Sequence, residues 1–206
     1  DLEVISDVNL ETLGIILDLS EMGDYIVENY SRKGRQYHFL RTIRHHFAAF
    51  KNHPAVQKVN ELSALNMIHF NHYYYGLHFT PLPDFKEKGP VPQLFFEGDS
   101  ISPEQAKEHL NDFNRKIILF YKEAALDDFF SSHAELFNRL KKETQNSLPM
   151  GQIPALEKFF GNTEHPRYII CPTLSVPGGF NFGPDLKKEG THCFFFITGP
   201  AYDFPG

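Results

Sequence analysis

The stretch 167–198 sets the terms for the rest of the chain. It opens with Arg167-Tyr168-Ile169-Ile170-Cys171-Pro172 and closes with Thr191-His192-Cys193-Phe194-Phe195-Phe196-Ile197-Thr198. Both runs are rich in β-branched and aromatic residues and are bounded by Gly or Pro, the pattern of strands. Residues 1–8 read as an extended lead-in, and the remainder before residue 167 reads as helix or loop. The sequence therefore predicts an α+β chain of one domain, 1–206, with a mostly helical layer followed by a small, largely antiparallel sheet at the C-terminal end. Between the two strand runs lie Gly178, Gly179 and Gly183, which let a ligand or another backbone come close. Gly178, Gly179, Phe180, Asn181 and Phe182 are accordingly the candidate substrate-binding residues, with a turn or bulge as the competing use of the glycine pair.

The helical part is punctuated by recognisable signals. Asn9 can cap a helix carrying Leu10, Leu13, Leu17 and Met22 that ends near Gly23. Leu40, Ile43, Phe47 and Phe50 form a second apolar stripe, and His53-Pro54 closes that helix and starts the next, whose buried face is Val56, Val59 and Leu62. The stretch 65–79 is aromatic enough to be core but shows no clear period. Residues 80–100, with six Pro or Gly, read as a long irregular connection. Ser102-Pro103-Glu104-Gln105 is a capping box that opens a long helix with Leu110, Phe113, Ile117 and Phe120 inward. Asp127-Asp128 can begin a helix running through Phe129, His133 and Leu140, and Ile153, Leu156, Phe159 and Phe160 form a short one closed by Gly161.

Composition excludes several classes. A net charge of −6 and a pI near 6.0 argue against a nucleic-acid partner, because phosphate binding draws on clustered Lys and Arg. The best basic run, Ser31-Arg32-Lys33-Gly34-Arg35, is short and reads as a solvated loop. No apolar run approaches the ~20 residues needed to cross a bilayer. The chain starts at Asp1, which implies a processed or trimmed product. Two cysteines are too few for a disulfide scaffold or a zinc ribbon; Cys171 and Cys193 can bridge if the two strands pair, and buried free thiols are the alternative.

Chemistry-bearing motifs are sparse. His69 and His72 would share a helical face with His78 nearby, but no acid stands beside them as a catalytic zinc helix requires. Nucleophile elbows and phosphate loops are absent. No catalytic residue and no metal ligand is assigned.

Four segments in a fixed order carry a resemblance. They are Phe47-Ala48-Ala49-Phe50-Lys51-Asn52-His53-Pro54-Ala55-Val56, Leu119-Phe120-Tyr121-Lys122 running to Phe129-Phe130, Phe159-Phe160-Gly161, and Phe180-Asn181-Phe182-Gly183-Pro184. Together they resemble a family of uncharacterised bacterial, exported proteins with a zincin-like metallopeptidase domain, covering the chain from about residue 40 onward. The resemblance implies the N-terminal part of a zincin-like domain, periplasmic or extracellular, that leads into a His-Glu-x-x-His helix holding zinc. That motif occurs nowhere in the sequence, and His192 is followed by Cys193, so no zinc ligand carries over. The chain is thus expected to be the scaffold and substrate-side portion of a larger protein, catalytically incomplete, its zinc tied to a further C-terminal part. Its partner would be a peptide substrate added as a strand along 180–182 or 193–198. The alternative is a non-catalytic extracellular module that binds peptide or glycan through an aromatic surface around Tyr73 to Tyr75.

Overall fold

In the computed structural model, residues 2–30, 38–68, 70–148, 151–160, 166–176, 181–182, 185–188 and 191–199 are described. The chain opens with strand β1 (Leu2–Val4). Helices α1 (Val8–Leu19), α2 (Glu21–Tyr30), α3 (His38–His46), α4 (Pro54–Ala64), α5 (Pro103–Glu123), α6 (Leu126–Ser132), α7 (Ala134–Ser147) and α8 (Gln152–Phe160) follow. Strands β2 (Arg167–Pro172), β3 (Asn181–Phe182), β4 (Asp185–Lys188) and β5 (Thr191–Thr198) come last, and short 3-10 helices cover Ala48–Phe50, Phe70–His78 and Gln93–Phe96. The basic run 31–35, His69 and Gly161 lie outside the described residues.

Helix α1 is the centre of the molecule. Every residue from Asn9 to Leu19 is buried, and α2, α3, α4, α5 and the 3-10 helix Phe70–His78 all pack on it. A helix enclosed on every side must pair its polar side chains inside the protein. Asn9 accepts the Leu82 N–H at 2.9 Å and donates to the carbonyls of Gly76 and Thr80 at 3.0 and 3.1 Å. Asp18 holds the Arg44 guanidinium through both oxygens, at 2.9 and 3.2 Å. The predicted cap at Asn9 is therefore displaced: Asp7 caps the helix, accepting from the Asn9 and Leu10 N–H groups, and Ser20 separates α1 from α2.

Rings fill the space around this helix. Phe47 packs on Phe120 and Phe129, and His53 lies edge-on to Phe120 with centroids 5.1 Å apart. The stretch that lacked a helical period has the period of a 3-10 helix, in which residues three apart are eclipsed. His72, Tyr75 and His78 thereby reach one ring, Phe95, at centroid distances of 5.0, 5.1 and 5.6 Å. Ser102 and Gln105 form the capping box of α5 as the sequence predicts, and Leu110, Phe113, Ile117 and Phe120 are buried. The helix expected from Asp127 through Leu140 is two, α6 and α7, meeting at His133.

The sheet differs from the expectation. β1, β2 and β5 are parallel neighbours, so the body of the sheet is parallel rather than largely antiparallel. It is also not a purely C-terminal appendage, since the lead-in supplies β1 and the whole helical part forms the crossover from β1 to β2. The fold is thus a mixed helix and strand architecture around three parallel strands. β3 and β4 pair antiparallel with β5 in a single register, Asn181 opposite Thr198 through Lys188 opposite Thr191. The two strong runs, β2 and β5, are neighbours but run the same way, which the 173–190 connection between them is long enough to allow. Cys171 lies opposite Ile197 and Cys193 opposite Arg167. That offset is about 13 Å along the strands, too far for a disulfide; the two cysteines are not bridged, and both are buried.

Candidate functional site

The carboxyl ends of the parallel strands are where an open α/β sheet presents its functional loops. Here β1 runs through Asp7 directly into α1, and β2 runs into a turn at 173–176. Thr173 donates its N–H to the Thr198 carbonyl at 3.0 Å, tying the ends of β2 and β5 together. The next two N–H groups, of Leu174 and Ser175, point at the two oxygens of Glu11, at 2.9 and 3.0 Å. Gly14, one turn further along α1, lets the helix lie against that turn: a Cβ there would sit 2.1 Å from the Ser175 Oγ.

Of the sequence-derived candidates, Gly178, Gly179 and Phe180 lie outside the described residues. Asn181 and Phe182 form β3, their backbones opposite Thr198 and Ile197. The fold therefore brings this pair to the same end of the sheet as Asp7 and Glu11. β3 and β4 are also the outermost strands: both pair with β5, and no strand lies beyond them among the described residues. β5 is paired on both sides, by β2 and by 181–188, so 193–198 offers no edge to a peptide.

Burial governs the electrostatics. It pushes Glu11 up to about 7, against the pull of the Ser175 hydroxyl and the two backbone donors, and nearby Asp7 adds to the rise. Asp7 is raised by burial too, although its backbone donors and Lys88 draw it down. The Cys171 thiol is driven upward by burial and by the acids Asp7, Glu3 and Glu11, so it is a protonated, unreactive thiol. The arrangement can hold a proton near neutral pH and contains no activated nucleophile among these groups.

No group of three His, Cys, Asp or Glu converges in a way that could hold a metal among the described residues. Of the histidines expected near one another, His69 lies outside the described residues, and His72 and His78 lie in the 3-10 helix Phe70–His78, buried against Phe95. Tyr73, Tyr74 and Tyr75 are buried as well, which removes the aromatic binding surface. Asp7 and Glu11 were not singled out by the sequence. The available signal was an acid at position 11 inside the apolar run Leu10 to Leu19, where a charge is costly.

Compared with family models, with curated protein sequences and with solved structures, the chain gives no match. No helix is long and apolar enough to cross a membrane among the described residues.

Proposed function

We propose that the chain is the peptide-holding scaffold of an exported, metallopeptidase-like protein, and that the edge 181–188 takes an extended peptide by strand addition. The observation that carries this reading is the outer side of 181–188, which has no strand partner among the described residues. Alternate backbone groups of an antiparallel strand face away from its partner, so half of those of β3 and β4 point away from β5, as a further strand requires. The described residues do not fit a zinc ion, since no donor groups converge among them and the sequence has no His-Glu-x-x-His. No zinc step is assigned to them.

The test is an NMR titration of the 15N-labelled chain with a pool of randomised ten-residue peptides. Shift changes concentrated in 181–188 and 191–198, absent with an N-methylated pool that lacks backbone donors, are expected. Equal binding of the N-methylated pool, or shift changes elsewhere only, contradicts strand addition. Binding without cleavage in any fuller form of the protein would favour a non-catalytic peptide-binding module over a peptidase.

A further inference from the structure

Which backbone groups of the edge face outward is fixed by the register of the sheet. Along a strand the N–H and C=O of one residue point to one neighbour, and those of the next residue point to the other. On β5 a single contact sets this alternation: the Thr198 carbonyl accepts the Thr173 N–H from the chain leaving β2, at 3.0 Å. Thr198 therefore turns its backbone to the β2 side, and so do Phe196, Phe194 and His192, each two residues from the last in an unbroken strand. Ile197, Phe195, Cys193 and Thr191 turn theirs to the side of β3 and β4.

The edge residues follow from their partners. Phe182 stands opposite Ile197, Leu186 opposite Cys193 and Lys188 opposite Thr191, so these three give their N–H and C=O to β5. Asn181, Asp185 and Lys187 stand opposite Thr198, Phe194 and His192, whose backbones are turned away. Their own N–H and C=O point outward, where no strand lies among the described residues. The closing pair agrees: only two residues join Lys188 to Thr191, and the last pair before a two-residue connection exchanges both of its hydrogen bonds. That again places Lys188 inward and Lys187 outward. β3 and β4 share one register on β5, so Asn181 and Lys187 lie on one line about 20 Å apart.

On the reading that a peptide adds to this edge, we propose that it is recognised through its main chain, by the outward N–H and C=O groups of Asn181, Asp185 and Lys187. The substrate class is then an extended stretch of about seven residues with unblocked N–H groups on every second residue. Each of the three edge residues presents one donor beside one acceptor, and an extended main chain with the same alternation matches them. The peptide lies outermost, so its second row of N–H groups has no partner in the sheet. Blocking that second row is tolerated, and blocking the first is not. Peptides with proline or an N-alkylated residue in the first row are refused, because the donor is missing.

The test titrates the 15N-labelled full chain with three forms of the randomised ten-residue pool: unmethylated, N-methylated at every second residue, and N-methylated throughout. The alternately methylated pool keeps one row of donors and is expected to bind within about threefold of the unmethylated pool, while the fully methylated pool is expected not to bind. With the unmethylated pool bound, amide exchange should slow at Asp185 and Lys187 and stay unchanged at Leu186 and Lys188. K187P removes one outward donor, leaves the bonds of Leu186 and Lys188 to β5, and should weaken binding at least about fivefold. Failure of the alternately methylated pool where the unmethylated pool binds overturns this assignment of groups. Slowing at Leu186 and Lys188 instead, or equal binding by K187P, also overturns it, and strand addition itself then stands if the fully methylated pool still fails. Binding by no pool removes strand addition and the assignment with it. If K187P detaches β4, shown by fast exchange of the Cys193 amide, the alternately methylated pool and the exchange of the unaltered chain decide together.

Discussion

Asn9, Glu11 and Asp18 are polar residues on a helix with no solvent face, and each fastens α1 to a different part of the chain: the 76–82 segment, the 173–176 turn and Arg44 of α3. Replacing Asn9 with Ala should be severe, because it strands the Leu82 N–H and takes a donor from the Gly76 and Thr80 carbonyls, the former of which keeps the Phe79 N–H, at about 1–3 kcal/mol for each buried group left unpaired. Chemical denaturation should show a loss of more than ~3 kcal/mol, and a loss below ~1 kcal/mol would mean that water replaces the side chain. Glu11 makes the opposite kind of contribution. Its folded value lies above 4.5, so its stabilisation is complete below 4.5 and is lost as pH rises through about 7. Glu11→Gln keeps one acceptor but turns an amide NH2 towards the other N–H. It should therefore be less stable than the parent at pH ~5, by about 1–3 kcal/mol, with the gap narrowing by pH ~8. These roles were hidden in the sequence because a polar residue within an apolar period reads as outward-facing. Asn9 looked like a cap for the same reason, while the true cap, Asp7, stood two residues earlier in what read as a lead-in.

At the level of elements, the ends of helices were more legible than their partners. Ser102, Pro103 and Gln105 announce α5 because the capping box is a local device whose chemistry is complete within four residues. His53-Pro54 likewise marks the start of α4, but the role of His53 itself needed the fold. Its Nδ1 accepts the Ala55 N–H at 3.0 Å, so the ring proton lies on Nε2, 3.2 Å from Glu123. Burial lowers its pKa below 6.5, with Glu123 opposing. The stabilisation from this cap is thus present above 6.5 and is lost as pH falls through the folded value, since protonated Nδ1 no longer accepts. His53→Ala should cost about 2 kcal/mol through the cap and the ring contact with Phe120, and His53→Asn should recover about 1 kcal/mol of it. Equal losses in the two variants, measured by denaturation near pH ~7.5, would rule out the cap. Gly14→Ala offers a second check: helix propensity alone favours Ala by ~1 kcal/mol, but the new Cβ would stand 2.6 Å from the Ser175 Cβ. A lower Tm, restored by adding Ser175→Gly, is expected, and a raised Tm in the single variant would show that α1 and the turn are not in contact. The 3-10 helix Phe70–His78 escaped notice because its rings repeat every three residues, a spacing that matches neither helix nor strand templates.

For the whole molecule, the strands β2 and β5 were visible in their composition, and their direction was not. Two apolar runs in succession suggest a hairpin, whereas β2 and β5 run parallel and β3 and β4, between them in sequence, pair on the far side of β5. β1 is three residues long, too short to show alternation, yet it makes the N-terminal segment a sheet strand and the helical part a single crossover. Asn181 and Phe182 read as strand-like in the sequence, and their position on the outer edge came only from the pairing. Strand addition at that edge is most directly tested by amide exchange along 181–188 with and without the randomised peptide pool. Alone, protection should alternate, with amides facing β5 slow and those facing outward fast; with peptide, the outward amides should become slow as well. Uniform protection before any peptide is added, or fast outward amides that stay fast at saturation, would contradict an open edge that receives a strand.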